Sequence, residues 1–162
     1  MTSATPAADV DTTVAISMDK DATGGGTYAT VVARRNTSPA TSEYRGKVQY
    51  LANGGVRVYL SRFADGAETT LTYLNEVPGL KAKPNAQLKV RLQVAGTSPT
   101  TLKLKVWDAS TDEPSAWQLT TTDSTAALQR PGAVGLLTYV SGSATNAPIA
   151  VSFGDFEVKT AK

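Results

Sequence analysis

The stretch from Ala86 to Ala109, AQLKVRLQVAGTSPTTLKLKVWDA, constrains the chain most. Leu88, Val90, Leu92 and Val94 alternate with Lys89, Arg91 and Gln93; after Gly96-Thr97-Ser98-Pro99, Leu102, Leu104 and Val106 alternate with Lys103, Lys105 and Trp107. Period-two alternation gives a strand one buried and one wet face. Two such strands joined by a short turn carry seven aliphatic side chains on one surface. Burying each stabilises by roughly 1.5 to 3 kcal/mol. The hairpin is therefore expected in the middle of an antiparallel sheet.

The same alternation recurs at intervals typical of an all-β sandwich or barrel. Val10, Thr12, Val14, Ile16 and Met18 predict a first strand over 9–19, and a second follows over 27–35 after the Asp21-Ala22-Thr23-Gly24-Gly25-Gly26 turn. Tyr44, Gly46, Val48 and Tyr50 mark a third, and Val56, Val58 and Leu60 a fourth. Between them Asn53-Gly54 reads as a type I′ hairpin turn, which needs positive φ at both central positions. Asp65-Gly66 repeats that signal and opens a fifth strand over 68–75. Beyond the central hairpin, strands are predicted over 117–122, 132–140 and 149–159, with room for one helical turn in the 123–130 loop. In the last strand Ile149, Val151 and Phe153 share one parity and Phe156 and Val158 the other. A one-residue slip at Gly154-Asp155 reconciles them, as a β-bulge would. No helix-period segment and no linker competes, so residues 9–160 read as one domain after a flexible lead-in over 1–8.

Lys plus Arg number 16 against 14 for Asp plus Glu, a net charge of +2 across 162 residues. So small an excess makes no field for nucleic acid or an acidic membrane surface. The chain has neither cysteine nor histidine, which removes disulfides, thiolate metal sites, His-based triads and the usual zinc ligands. The N-terminus MTSATPAADV lacks a basic region followed by an apolar core. No run approaches the ~18 apolar residues of a membrane span. A location outside the cell or on a virion surface is expected, with no signal peptide in the chain as it stands.

Several stretches together resemble a known family: DKDATGGGTYATVVARR, EYRGKV, QLKVRLQVAGTSPTTLKLKVW, EPSAWQ and GAVGLLTYVSGSATNAPIAVSFGDFEV. They are similar to the laminin-G-like, concanavalin-like jelly-roll modules of actinobacterial cell-surface proteins and of the tail proteins of their phages. The resemblance spans about Asp9 to Val158 and implies an antiparallel two-sheet jelly-roll sandwich. Modules of this type usually carry a further N-terminal segment that supplies an edge strand. One sheet is therefore expected to be a strand short, with an edge open to a partner. The family's calcium site near the sandwich termini usually has two adjacent acids before the last aromatic residue, whereas this chain has Gly154-Asp155-Phe156. Asp155 is the corresponding candidate ligand.

Laminarinase-type glycosidases of this fold carry Glu, a spaced Asp and Glu at one parity on one strand, and no such run occurs here. Asp9-Val10-Asp11, Asp19-Lys20-Asp21 and Asp155-Phe156-Glu157 come nearest. The expectation is that the chain is not an enzyme. Asp19-Lys20-Asp21-Ala22-Thr23-Gly24 matches the first half of a calcium loop, with Thr30 where the bidentate acid would stand. Asp19 and Asp21 are candidate ligands for structural Ca2+; a plain Asp-rich turn is the alternative.

Sugar recognition needs an exposed aromatic ring beside hydroxyl-binding polar groups. Trp107 shares parity with Lys103 and Lys105, and Tyr59 with Arg57, so both rings are expected on a wet face. Tyr139, Asn146 and Tyr44 are further candidates. The competing reading packs Trp107 and Trp117 together across the Glu113-Pro114 turn. Arg45, Lys47, Arg57, Lys89, Arg91, Lys103 and Lys105 are expected to line one broad face, either attracting anionic glycans or only keeping the sheet soluble.

The chain thus reads as a non-catalytic recognition or attachment module for cell-surface carbohydrate. The alternative is a phage virion protein, a tail component or capsid decoration that binds other subunits or a further copy of itself.

Overall fold

The structure is a computed structural model that describes residues 6–162. The strands are β1 (Val10–Met18), β2 (Thr27–Asn36), β3 (Ser42–Tyr50), β4 (Val56–Ala64), β5 (Ala67–Leu74), β6 (Leu88–Ala95), β7 (Thr100–Asp108), β8 (Leu119–Asp123), β9 (Ala133–Val140) and β10 (Val151–Lys159). A single 3-10 turn, Ala126–Leu128, is the one helical element among the described residues. The strands form two five-stranded antiparallel sheets, ordered β10-β1-β6-β7-β8 and β5-β4-β3-β2-β9. The central hairpin is β6-β7, in the interior of the first sheet. This is the two-sheet jelly-roll sandwich.

The inner faces follow the parity of the sequence. All seven aliphatic residues of β6 and β7 are buried, as are Val14 and Ile16 of β1, Val31 of β2, Val48 of β3 and Val58 and Leu60 of β4. Gly46 of β3 faces Leu92 and Leu104 of the opposite sheet at close range. A Cβ there would stand 3.0 Å from the side chains of both Leu92 and Leu104.

Opposite β1, the register jumps from Thr13↔Glu157 to Ala15↔Gly154, and Asp155 has φ +48°. This is the expected bulge, and it lets Phe153 and Phe156 both pack against the core. The Asn53-Gly54 turn differs from expectation. Positive φ is confined to Gly54 (76°), whose N–H donates to Leu51 O while Asn53 Oδ1 caps the Gly55 N–H. A tight turn followed by a glycine in the left-handed region replaces the type I′ form. At Asp65-Gly66 both residues have positive φ, as a type I′ turn requires.

The lead-in expected over 1–8 lies outside the described residues as far as residue 5. Ala7 and Ala8 are tied down: Ala7 bridges Gly132 through two backbone hydrogen bonds, and Ala8 O accepts from Arg34 Nε at 2.7 Å. Arg34 is fully buried, with φ +51°. Its guanidinium also donates to Thr100 Oγ1, Leu128 O and Gly96 O and lies 3.5 Å from Asp9. One cation thus joins the N-terminal segment, the β6-β7 turn and the 3-10 turn. A neighbouring polar cluster centres on Asp123, which accepts from the Tyr44 hydroxyl (2.8 Å), the Thr125 amide (2.9 Å) and Arg62.

Removing the Arg34 side chain leaves several buried acceptors without a donor. Arg34→Ala should cost about 3 to 5 kcal/mol in urea unfolding. Burial alone would raise the Asp123 carboxyl, but its three donors outweigh burial and hold it below the usual range. Its contribution is present above about pH 4 and lost as pH falls through the depressed folded value. Burial, then the bond to Asp123, pushes Tyr44 up to about 12 from 10.0, so its contribution is lost as pH rises through that interval. Urea midpoints should fall on both flanks, the acid flank flattening in Asp123→Asn and the alkaline flank in Tyr44→Phe.

Candidate functional site

On the β5-β4-β3-β2-β9 sheet, the residues out of phase with the core form a grid on the outer face. Register places Tyr139, Tyr28, Gln49 and Arg57 in one row across β9, β2, β3 and β4. Leu137, Thr30, Lys47, Tyr59 and Tyr73 form the next row, across all five strands. At the usual strand spacing that row runs roughly 19 Å. Tyr139 and Tyr73 are 61% and 55% exposed and Leu137 41%.

The tyrosines stand in two pairs. The Tyr28 and Tyr139 centroids are 5.7 Å apart with planes inclined by 51°, and those of Tyr59 and Tyr73 are 6.0 Å apart and stacked. Lys47 stands between the pairs, its Nζ 5.6 Å from the Tyr28 ring and 5.2 Å from the Tyr59 ring. Tyr59 donates its hydroxyl to Gln49 Oε1 at 2.7 Å, and Gln49 is anchored through Nε2 to Gly25 O. A depression of about 470 Å³ opens here, lined by Tyr28, Thr30, Arg45, Lys47, Glu68, Leu137, Thr138 and Tyr139.

Glu68 is the carboxylate of that depression. It accepts from Lys47 Nζ (2.8 Å), Ser61 Oγ (2.6 Å) and Arg45 Nη1 (2.9 Å). Partial burial favours its neutral form, but the bonds from Lys47 and Ser61 and the charges of Lys47 and Arg45 outweigh it and hold the carboxyl below its usual range. At neutral pH it is an acceptor. Glu43, buried, pairs with Arg35 and Arg45. The face therefore offers aromatic rings for C–H surfaces, ammonium and guanidinium donors, and a fixed carboxylate acceptor.

Of the residues singled out in the sequence, Tyr59, Arg57 and Tyr139 lie together on this face. Tyr44 points inward to Asp123. Asn146, in the β9-β10 loop, bonds Thr23 Oγ1 and Asp21 O and so braces the glycine turn. Trp107 belongs to the opposite sheet and is 7% exposed, because the 109–118 segment folds back over it; Pro114, Gln118 and Glu113 lie around it. Trp117 is not its stacking partner. That ring packs against Lys105, Arg91 and Lys103, whose charged ends stand 4.6, 5.5 and 5.8 Å from its centroid.

The broad basic face is corrected. Arg45, Lys47 and Arg57 are on the tyrosine face, whereas Lys89, Arg91, Lys103 and Lys105 are on the other side of the sandwich. There Arg91 pairs with Asp11 and Glu113, and Lys105 with Glu113.

The two candidate calcium positions, Asp19 with Asp21 on the one hand and Asp155 on the other, lie apart in the fold. Asp19 Oδ1 accepts the Ala150 amide just beyond the end of β1 that faces Val151, whereas Asp155 sits at the bulge midway along β10. Among the described residues no group of three His, Cys, Asp or Glu side chains gathers around a common point. Nor is either sheet short of a strand relative to the other.

Tyr28, Tyr73 and Glu68 escaped the sequence reading. Tyr28 alternates with the core residues Thr27 and Ala29, and the parity test applied to Tyr59 would have found it. Tyr73 and Glu68 sit on either side of a register shift in the β4-β5 pairing, which hides their common face from simple alternation.

No family model and no curated protein sequence matches the chain. Solved structures do. A β-glucanase of Bacillus licheniformis superposes with TM-score 0.65 at 14% identity, over 99% of this chain and 70% of its own. Sheep galectin-11, in complex with glycerol, gives 0.54 at 7% identity, over 94% and 96%. A xylan β-1,4-xylosidase of Bacillus halodurans gives 0.58 at 13%, over 95% of this chain but 28% of that one. These are concanavalin-like jelly rolls, and at such identities the likeness is one of fold.

The expectation that the chain is not an enzyme does not survive them, since glycoside hydrolases stand among its structural neighbours. The missing Glu-Asp-Glu strand rules out one arrangement of carboxylates, and glycoside hydrolysis is broader than that arrangement.

Because Trp107 is packed beneath its own loop, Trp107→Ala should cost about 3 to 5 kcal/mol of stability. A thermal melt and a binding assay on the same sample check this: the melt should move and the properties of the tyrosine face should not.

Proposed function

We propose that the outer face of the β5-β4-β3-β2-β9 sheet is a carbohydrate-recognition surface, with a cell-surface glycan as its ligand. The observation that carries this reading is the pair of tyrosine clusters on one face, with Lys47 between them and Glu68 fixed beside them. A sugar ring has an apolar face of C–H bonds and an equatorial belt of hydroxyls. Tyr139 and Tyr73 expose rings for the first, and Lys47, Arg45, Gln49 and Glu68 hold donors and acceptors for the second. Two aromatic clusters at opposite ends of two neighbouring rows suit a chain of linked sugars better than a single terminal residue. Jelly-roll neighbours named as a galectin, a β-glucanase and a xylosidase support the same class of ligand.

The test is calorimetry with soluble polysaccharides and their oligomers, with reducing-sugar release followed in the same samples. Tyr139→Ala and Tyr73→Ala should each weaken binding about three- to tenfold, the stacking share of one aromatic contact. Lys159→Ala, on the opposite sheet, should leave it unchanged. Glu68→Gln, which removes the carboxylate with little change of shape, should weaken binding and abolish any release of reducing ends. Full affinity in both tyrosine variants would sink the assignment of this face.

A further inference from the structure

The charges on the tyrosine face do not cancel. Arg35, Arg45, Lys47 and Arg57 are its basic side chains, against Glu43 and Glu68. Arg35 and Arg45 are paired with Glu43, and Arg45 and Lys47 with Glu68. Arg57 is the one basic residue of the face with no carboxylate partner among the described residues. Its Nε donates to Asn75 O at 3.0 Å and its Nη1 reaches the Tyr59 hydroxyl at 3.4 Å, which fixes the plane of the guanidinium and leaves Nη2 without a partner among the described residues. The contact of Arg57 with the tyrosines is that bond to the Tyr59 hydroxyl, and in register it stands on β4 opposite Gln49, which is itself opposite Tyr28. The guanidinium is therefore held beside the rings on which a sugar would stack, and the neighbouring cations already have carboxylates of their own.

An immobilised, partly desolvated guanidinium lacking a counter-ion is a poor match for a neutral hydroxyl and a good one for a carboxylate or sulfate. Resting on the carbohydrate reading above, we propose that the ligand is an acidic glycan, and that Arg57 selects it by pairing with an anionic group on a sugar stacked at the Tyr59-Tyr73 pair. Arg57 is in this account a specificity residue. Tyr139 and Tyr28, at the other end of the face, add affinity whatever the charge of the sugar they meet.

The test compares polymers that differ only in charge. Oligomers of polygalacturonate, alginate and hyaluronan are titrated beside their carboxyl-reduced forms, together with a sulfated neutral oligosaccharide, at low and at physiological salt. At least one acidic oligomer should bind about tenfold or more tightly than its reduced form, the usual worth of a charged hydrogen bond. Added salt should narrow the gap. In Arg57→Gln the gap should close to within about threefold because the acidic form loses more affinity than the reduced one, with the thermal midpoint kept as a check on folding. Preference for the sulfated ligand over every carboxylate would identify sulfate as the anion; the reverse would identify a uronate.

Equal binding of acidic and reduced forms throughout overturns the acidic ligand but leaves carbohydrate recognition standing. A preference for the acidic form that persists undiminished in Arg57→Gln overturns the role of Arg57. No binding to any member, charged or neutral, removes this inference and the carbohydrate reading together.

Discussion

The structure depends on one constraint: each sheet must bury one face against the other, and a strand can bury only every second residue. Val58 and Leu60 cannot enter the core without turning Arg57, Tyr59 and Ser61 outward, and Val48 and Tyr50 cannot without turning Lys47 and Gln49 out. The inner faces come within van der Waals contact at Gly46, where the Leu92 and Leu104 side chains fill the space a larger residue would need. The tyrosine face is what that commitment leaves over. Its precision comes from the core, since each outward ring is held by a strand whose alternate residues are locked in close packing.

Two buried polar clusters reinforce this at one end of the sandwich. Arg34 spends all three nitrogens on groups from three separate segments, and Asp123 draws together Tyr44, Arg62 and Thr125. A buried charge is costly unless each of its hydrogen-bonding positions is met, so such clusters tolerate little displacement of the segments that supply the partners. Gln129 links the two, bonding both Thr100 and Tyr44. The consequence is a corner that holds the β6-β7 turn and the 3-10 turn against the C-terminal end of β2, the strand that carries Tyr28.

The two outer faces have opposite fates. On the β10-β1-β6-β7-β8 sheet the 109–118 segment folds back, seals Trp107, and places Glu113 and the Trp117 ring over Arg91, Lys103 and Lys105. Lys105 is nearly buried there and donates to Pro114 O. On that face Arg91 and Lys105 are answered by Asp11 and Glu113, and Trp107 is covered, from within the chain. Among the described residues no segment crosses the depression on the other face, where rings remain exposed and Arg57 has no carboxylate partner. Two faces that look alike in sequence, each a mixture of basic and aromatic residues at alternate positions, thereby differ in what they offer a ligand.

The sequence by itself determined the ten strands, the sheet-forming hairpin at the centre, the bulge near Gly154-Asp155 and the outward direction of Tyr59 and Arg57. Each rests on local rules: side-chain parity, turn chemistry, and the break in parity that a bulge produces. The turn at Asn53-Gly54 shows where such rules stop, because the same dipeptide serves a type I′ turn or a tight turn with a following glycine, and the pairing of the flanking strands decides between them. Only the tertiary structure decided which outward residues meet. Parity places Trp107 and Tyr59 alike on wet faces, yet they lie on opposite sheets, and a loop of the chain buries one of them. Likewise Tyr28, Tyr59, Tyr73 and Tyr139 come from four strands, of which only β4 and β5 form one hairpin while β2 and β9 lie far from it and from each other in sequence. Strand order and register bring them into one face, and these are set by long-range pairing and by packing of the shared core, which a local pattern does not encode.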